Sequence, residues 1–187
     1  MARQKAYKEN EVIEKATELF WRNGYESTSM SSLEKAMGIN KFSIYSSFGS
    51  KQGVFLESLK CYKNKLQPLL TTLKESSKGK EAIKQFFYDF LIFSKENDIG
   101  KGCLLTNTSG ELGAKGDALI RMKIFDFTEI LKALFAEKLA SDTHKSQERI
   151  NKEATYLLIA KQGLSNASKI FDHKDLEAFI ETTFENI

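Results

Sequence analysis

Apolar residues recur along this chain with the period of α-helices. Residues 8–23 open the series, with Val12, Ile13, Ala16, Leu19 and Phe20 on one stripe. Asn10 or the residues just before it can cap this helix, Gly24 suits its stop, and Trp21 reads as a packing residue. Thr28 or Ser29 can cap a short second helix whose Leu33, Ala36 and Met37 face inward. Ser32, not Glu, stands three residues after Ser29, so no full capping box is expected. Gly38 ends this helix and Ile39 plugs the turn. Asn40 caps a third helix over 41–48, with Ile44 and Phe48 as its buried pair. Ser50 caps a fourth, faced by Val54, Phe55, Leu59, Tyr62 and Leu66, and Pro68 is expected to end or kink it near Leu66 or Gln67.

Ser76-Ser77-Lys78-Gly79 is a polar break with the composition of a domain seam. Residues 80–95 resume a helix that is apolar around more than half its circumference, and a loop follows over 96–102. Residues 103–112 form a short helix that Gly110 makes weak or closely packed. Two long helices are expected over 117–140 and 147–171, separated by a polar loop, and a last one over 173–187. The fold class is therefore all-α, with about nine helices. There is no internal repeat and no low-complexity tract.

Composition agrees. Charged residues make up 28% of the chain and hydrophobic ones 41%, which suits a folded soluble protein, and Pro68 is the lone proline. No apolar run reaches the roughly 18–20 residues that cross a bilayer. The opening Met1-Ala2-Arg3-Gln4-Lys5 does not read as a signal peptide, so the cytoplasm is expected. Cys61 and Cys103 are too few for a disulfide framework and lack metal-ligand spacing. Residues 1–65 hold 11 Lys+Arg against 7 Asp+Glu, whereas the remainder is nearly neutral. A basic N-terminal third fits nucleic-acid contact by one end of the molecule.

The stretch 27–51 carries the chemistry. A short helix, a glycine turn and a second short helix form a helix-turn-helix, in which the second helix offers its exposed face to the major groove. With Ile44 and Phe48 buried, Lys41, Phe42, Ser43, Tyr45, Ser46 and Ser47 are left largely exposed. Phe42 and Tyr45 beside Lys41 suit thymine methyls, base edges and phosphates. Lys51, on the first turn of the helix that Ser50 caps, adds a phosphate-attracting corner.

Gly24-Tyr25, Thr28-Ser29, Leu33, Ala36, Gly38-Ile39, Ile44-Tyr45, Phe48 and Lys51, in this spacing, resemble the tetracycline-repressor (TetR/AcrR) family of bacterial transcriptional regulators. Gly102-Cys103-Leu104-Leu105 and Gln162-Gly163-Leu164 look like one large subgroup of it. The resemblance is strong over residues 8–66. It implies a DNA-binding head over 1–50, a linking helix over 51–67, and a ligand-sensing and dimerisation domain over 67–187. It further implies base reading by Lys41, Phe42 and Ser43, backbone contact by Tyr45, and phosphate contact by Thr28, Ser47 and Lys51. Glu34 departs from the small residue common in the bracing helix, so it is expected to point away from DNA or to pair with Lys35 or Arg22.

The resemblance implies a homodimer through the last two long helices, for which Leu157, Leu158, Leu164 and Phe179 offer apolar surface. It also implies a small hydrophobic effector held among the fifth to eighth helices. Phe86, Phe90, Cys103, Asn107, Met122, Phe125, Tyr156 and Gln162 are the candidate walls and polar handles. The partners are thus double-stranded operator DNA, an effector and a second copy, with no membrane and no cofactor. The favoured function is a repressor released from a palindromic operator by its effector. Two alternatives stand beside it: an electrophile or redox sensor acting through Cys103, and an architectural DNA binder without an effector. An enzyme is disfavoured, because phosphate loops, metalloprotease motifs and nucleophile elbows are all missing and the histidines, His144 and His173, fall near loops.

Overall fold

The computed structural model describes residues 7–96, 99–113, 116–142 and 145–187. The opening pentapeptide and His144 lie outside them. Nine α-helices run through the described residues: α1 (Glu9–Asn23), α2 (Met30–Met37), α3 (Lys41–Phe48), α4 (Lys51–Glu75), α5 (Lys80–Ser94), α6 (Leu104–Leu112), α7 (Ala118–Asp142), α8 (Gln147–Ala167) and α9 (His173–Glu185). The expected loop after α5 contains a minimal antiparallel ladder, in which Lys95 pairs with Gly100 and Glu96 with Ile99.

Local chemistry places the head. Val12, Ala16 and Phe20 of α1 are buried against α4, where Phe55 meets Phe20 edge-on at 4.9 Å between ring centres. Ser29 caps α2 in a full capping box after all: its hydroxyl accepts from Ser32 N–H, and Ser32 Oγ accepts from Ser29 N–H. The serine hydroxyl reaches as far as the expected glutamate would have. Gly38 closes α2 in the left-handed region (φ 70°), a turn in which a Cβ is disfavoured. Asn40 then caps α3 by accepting from Ser43 N–H, and Ser50 caps α4 by accepting from Gly53 N–H. Of the expected cap positions for α1, Lys8, among the residues just before Asn10, is the one occupied, with no side-chain cap bond.

Pro68 neither ends nor breaks α4, which runs seven residues past it to Glu75. Proline cannot donate to the Asn64 carbonyl, and a proline inside a helix costs about 3 kcal/mol. Packing offsets that cost. Leu66, Leu69, Leu70 and Leu73 flank the proline, and Leu69 and Leu70 pack against both apolar clusters of the molecule.

Those two clusters do not follow the expected boundary near residue 67. The first joins the head to α6 and to the first half of α7, through Leu104, Leu105, Leu112, Ile120 and Ile124. The second holds α5, α8, α9 and the rest of α7, around Phe86, Phe87, Phe135 and Leu157.

Candidate DNA interface and effector cavity

The α2–turn–α3 unit presents α3 outward. Ile44 anchors it in the core, while Phe42 is 81% exposed and Tyr45 49% exposed, on the same side as Lys41. An isolated phenyl ring that exposed gains nothing from burial in this chain. The Glu34 carboxylate does not pair with Lys35 or Arg22. It accepts the Lys41 backbone N–H at 3.1 Å, so it caps the N-terminus of α3 and keeps its charge on an orphan amide. Tyr7, which periodicity does not single out, reaches over α3. Its hydroxyl shares a 2.6 Å hydrogen bond with Ser47 Oγ and donates to the Ser43 carbonyl at 3.3 Å.

The phosphate candidates divide. Lys51 sits at the corner of the head, its ammonium 4.5 Å above the Tyr25 ring centre and donating to the Glu26 carbonyl. Ser47 is half-buried under Tyr7. Thr28 is fully buried, and its hydroxyl proton is already given to the Gly24 carbonyl at 2.6 Å. A hydroxyl that has spent its proton has none for a phosphate oxygen, so the Thr28 side chain works as a structural tie.

In the C-terminal half a cavity of about 790 Å³ opens between α6, α7 and α8. Cys103, Met122, Phe125 and Gln162 of the candidate residues line it, beside Ile124, Leu131 and Leu158. Met122 and Phe125 form its exposed rim. The other four candidates lie elsewhere. Phe86 is buried against Phe135 in the second core cluster. Phe90 is buried behind the wall and carries the Lys161 ammonium 3.9 Å from its ring centre. Asn107 turns toward the hairpin, donating to the Lys101 carbonyl and accepting from Lys169. Tyr156 points outward on the opposite face of α8. A groove of similar size on the head, between α1, α3 and α4, is walled mostly by charged and polar side chains, among them Glu9, Glu14, Glu57, Lys60 and Lys65, and does not have the mainly apolar wall of a ligand site.

Cys103 is buried at the start of α6, with its sulfur 3.4 Å from the Tyr62 hydroxyl. Burial works to push the thiol up. The Lys161 charge and hydrogen bonds from Tyr62 and Thr106 outweigh it and hold the pKa below the ordinary cysteine value. Burial first, and then Cys103 itself, push the Tyr62 phenol well above its usual range. Among the described residues no cluster of His, Cys, Asp or Glu could hold a metal ion, and no helix is long and apolar enough to cross a membrane.

The sequence pattern described as "Bacterial regulatory proteins, tetR family" matches residues 12–58, which span the α1–α4 geometry above. Residues 12–58 are thus a tetR-family segment. It is 30% identical over 112 residues to the HTH-type transcriptional regulator YezE of Bacillus subtilis (strain 168), a match covering 59% of this chain and 58% of YezE. It is 25% identical over 147 residues to IcaR of Staphylococcus aureus (strain Newman), the negative regulator of the biofilm operon icaADBC, covering 77% of this chain and 74% of IcaR. The fold matches a cysteine mutant of the TetR family regulator CifR, complexed with 26-bp operator DNA, at a TM-score of 0.85 and 23% identity over 98% of each chain. It also matches reduced Escherichia coli NemR at a TM-score of 0.79 and 21% identity, over 95% of this chain and 94% of that one.

The tetR-like head and the cavity helices are tied at several points. Trp21 Nε1–H donates to the Gly102 carbonyl at 3.0 Å, one residue before Cys103. Lys101 and Lys65 both reach Glu18, at 3.0 and 3.1 Å. Gln52 of α4 donates to Asp117, which in turn accepts the Ile120 N–H in the first turn of α7. Glu111, in the last turn of α6, accepts the Glu26 N–H of the head.

Reading the sequence alone missed Lys161, Glu111 and Tyr7. Lys161 had a visible signal. It stands in the stripe Ala154, Leu157, Leu158, Lys161, Leu164 and Ser165, every member of which is buried.

Proposed function

We propose that this chain is a homodimeric repressor of the tetR family that holds a pseudo-palindromic operator with two α3 helices and is released by a small molecule bound between α6, α7 and α8. The outward face of α3, with exposed Lys41, Phe42 and Tyr45 on a helix capped by Asn40 and Glu34, carries the reading. Lys41, Phe42 and Ser43 meet base edges, Tyr45 and Lys51 meet the backbone, and Ser47 positions Tyr7. The two recognition helices enter successive major grooves, roughly 34–36 Å apart. IcaR as a negative regulator and CifR on operator DNA support this assignment by similarity. The protein works in the cytoplasm, where its operator is.

The dimer face is the outer side of α8 and α9. Leu157, Leu158 and Leu164 are consumed inside the protomer, so Tyr156, Ile159 and Phe179 supply the exposed apolar surface instead. The effector binds better to the conformer whose heads are wrongly spaced, and that differential affinity draws the population off DNA. The cavity favours this over an architectural binder, which has no use for a walled chamber beside the head. The deciding experiment is selection of binding sites from random duplex DNA by the purified protein. An inverted repeat with half-sites one helical turn apart is the expected product, and Phe42→Ala and Lys41→Ala each shift the preferred bases. Recovery of no repeat, or of the same bases from both variants, would refute the reading.

The place of Cys103 in the cavity wall, where, against burial, the Lys161 charge and the Tyr62 hydroxyl draw its pKa below the ordinary thiol value, supports a second reading, in which an electrophile is the signal. Operator binding is then lost on treatment with N-ethylmaleimide and spared in Cys103→Ser. Equal loss in both proteins rules it out.

A further inference from the structure

We propose that the effector is an organic anion, an apolar body with a single carboxylate- or sulfonate-like head, and that Lys161 receives the head. The inference rests on the regulator reading and names the ligand class of its cavity.

Lys161 lines the cavity from α8 and is only 3% exposed. No hydrogen bond or ion pair engages its ammonium among the described residues; what the ammonium meets is the face of Phe90. Lys138 shows how this fold otherwise seats a buried lysine: its Nζ donates to the carbonyls of Lys74 and Ser76 at 2.6 and 2.7 Å. Lys161 has no such acceptors. Its donors are left to the cavity, and a desolvated charge without a partner is unfavourable until something answers it.

The wall says what can answer it. Among the described residues no Asp or Glu lines the cavity, whereas Arg121 lines it beside Lys161. A cationic ligand is therefore repelled. A neutral one can accept a hydrogen bond but leaves the charge uncompensated. The Cys103 thiol is the nearby group able to ionise, and it is shared with the Tyr62 hydroxyl, so a bound anionic oxygen is the stronger partner. Ile124, Leu131 and Leu158 then enclose the apolar body, and Gln162 offers an amide beside the head.

The test uses two probes with one skeleton. 8-Anilinonaphthalene-1-sulfonate carries an anionic head, and N-phenyl-1-naphthylamine is the same ring system without it. Fluorescence titration of the native protein should give one saturable site per protomer that prefers the sulfonate at least tenfold. In Lys161→Met the sulfonate weakens until the two probes bind within threefold, while the neutral probe binds as before and so reports an intact fold. Equal affinities in the native protein, no saturable sulfonate binding, or a preference that survives in Lys161→Met would each overturn the inference. Should the variant not fold, a crystal of the native protein with the sulfonate decides: the head lies within hydrogen-bond distance of Lys161 Nζ, or the inference fails. DNA is absent throughout, so failure to bind an operator would sink the regulator reading and leave this result standing.

Discussion

The Glu111 carboxylate accepts the Glu26 backbone N–H at 2.8 Å, across 85 residues of sequence. One partner closes the cavity helix α6 and the other belongs to the turn that leads into α2. The same carboxylate occupies the space where a Cβ at Gly24 would stand. Gly24 itself has φ 84° and ψ 171°, a conformation open to glycine.

Gly24→Ala therefore carries two penalties, backbone strain and a collision with Glu111. A loss of about 1–3 kcal/mol is expected from urea midpoints. In a Glu111→Ala background the collision is gone, and the same substitution should cost at least ~0.5 kcal/mol less. An identical cost in both backgrounds would show that the two residues do not press on each other.

On DNA, Tyr45→Ala should weaken operator binding tenfold or more without lowering the melting temperature, because the ring is half exposed and anchors nothing in the head. Lys51→Ala should reduce the slope of log affinity against log salt. If Lys51 holds one phosphate in each half-site, the slope falls by about 2 for the dimer. A slope unchanged from the native protein would assign Lys51 to the solvent.

Acid should loosen the join between head and sensor. Burial works to raise the Glu18 pKa, but the hydrogen bonds and charges of Lys101 and Lys65 outweigh it and hold it below the ordinary 4.5. A depressed carboxyl stabilises the fold fully above its unfolded pKa and ceases to do so as pH falls through the folded one. Native stability should thus drop below about pH 4.5 more steeply than that of Glu18→Gln. Parallel pH profiles for the two proteins would contradict the assignment. The group is partly exposed, so raised salt shrinks the difference.

Ile159→Lys tests the dimer face. Ile159 is 62% exposed on α8, so the substitution disturbs no core. Sedimentation should move from twice the 21.2 kDa chain mass to a single chain, with loss of operator binding. A variant that stays dimeric would move the interface elsewhere.

The head was readable from sequence because its signals are local. Asn40 and Ser50 cap, Gly38 turns, and Ile44 spaces itself from Phe48; each acts on residues within one helical turn. Long-range packing hid the rest. Pro68 sits within a helix because leucines on either side are held by two clusters. Tyr156, expected in the pocket, and Lys161, for which nothing was expected, lie as they do for a similar reason. Periodicity gives α8 a stripe, but the direction of that stripe depends on α7, so the aromatic residue faces out and the lysine faces in. Thr28 has the residue type of a phosphate contact, and only the position of the Gly24 carbonyl shows that its proton is taken.

The apolar cluster that joins α1–α4 to α6 and the front of α7 bears on how such chains can be recombined. A chimera spliced at residue 50 or 67 would graft a foreign head onto Leu104, Leu105, Leu112, Ile120 and Ile124 shaped for this one. The exchangeable unit is the head together with the near wall of its chamber. A graft that respects this unit inherits part of the specificity for the signal as well as for the DNA.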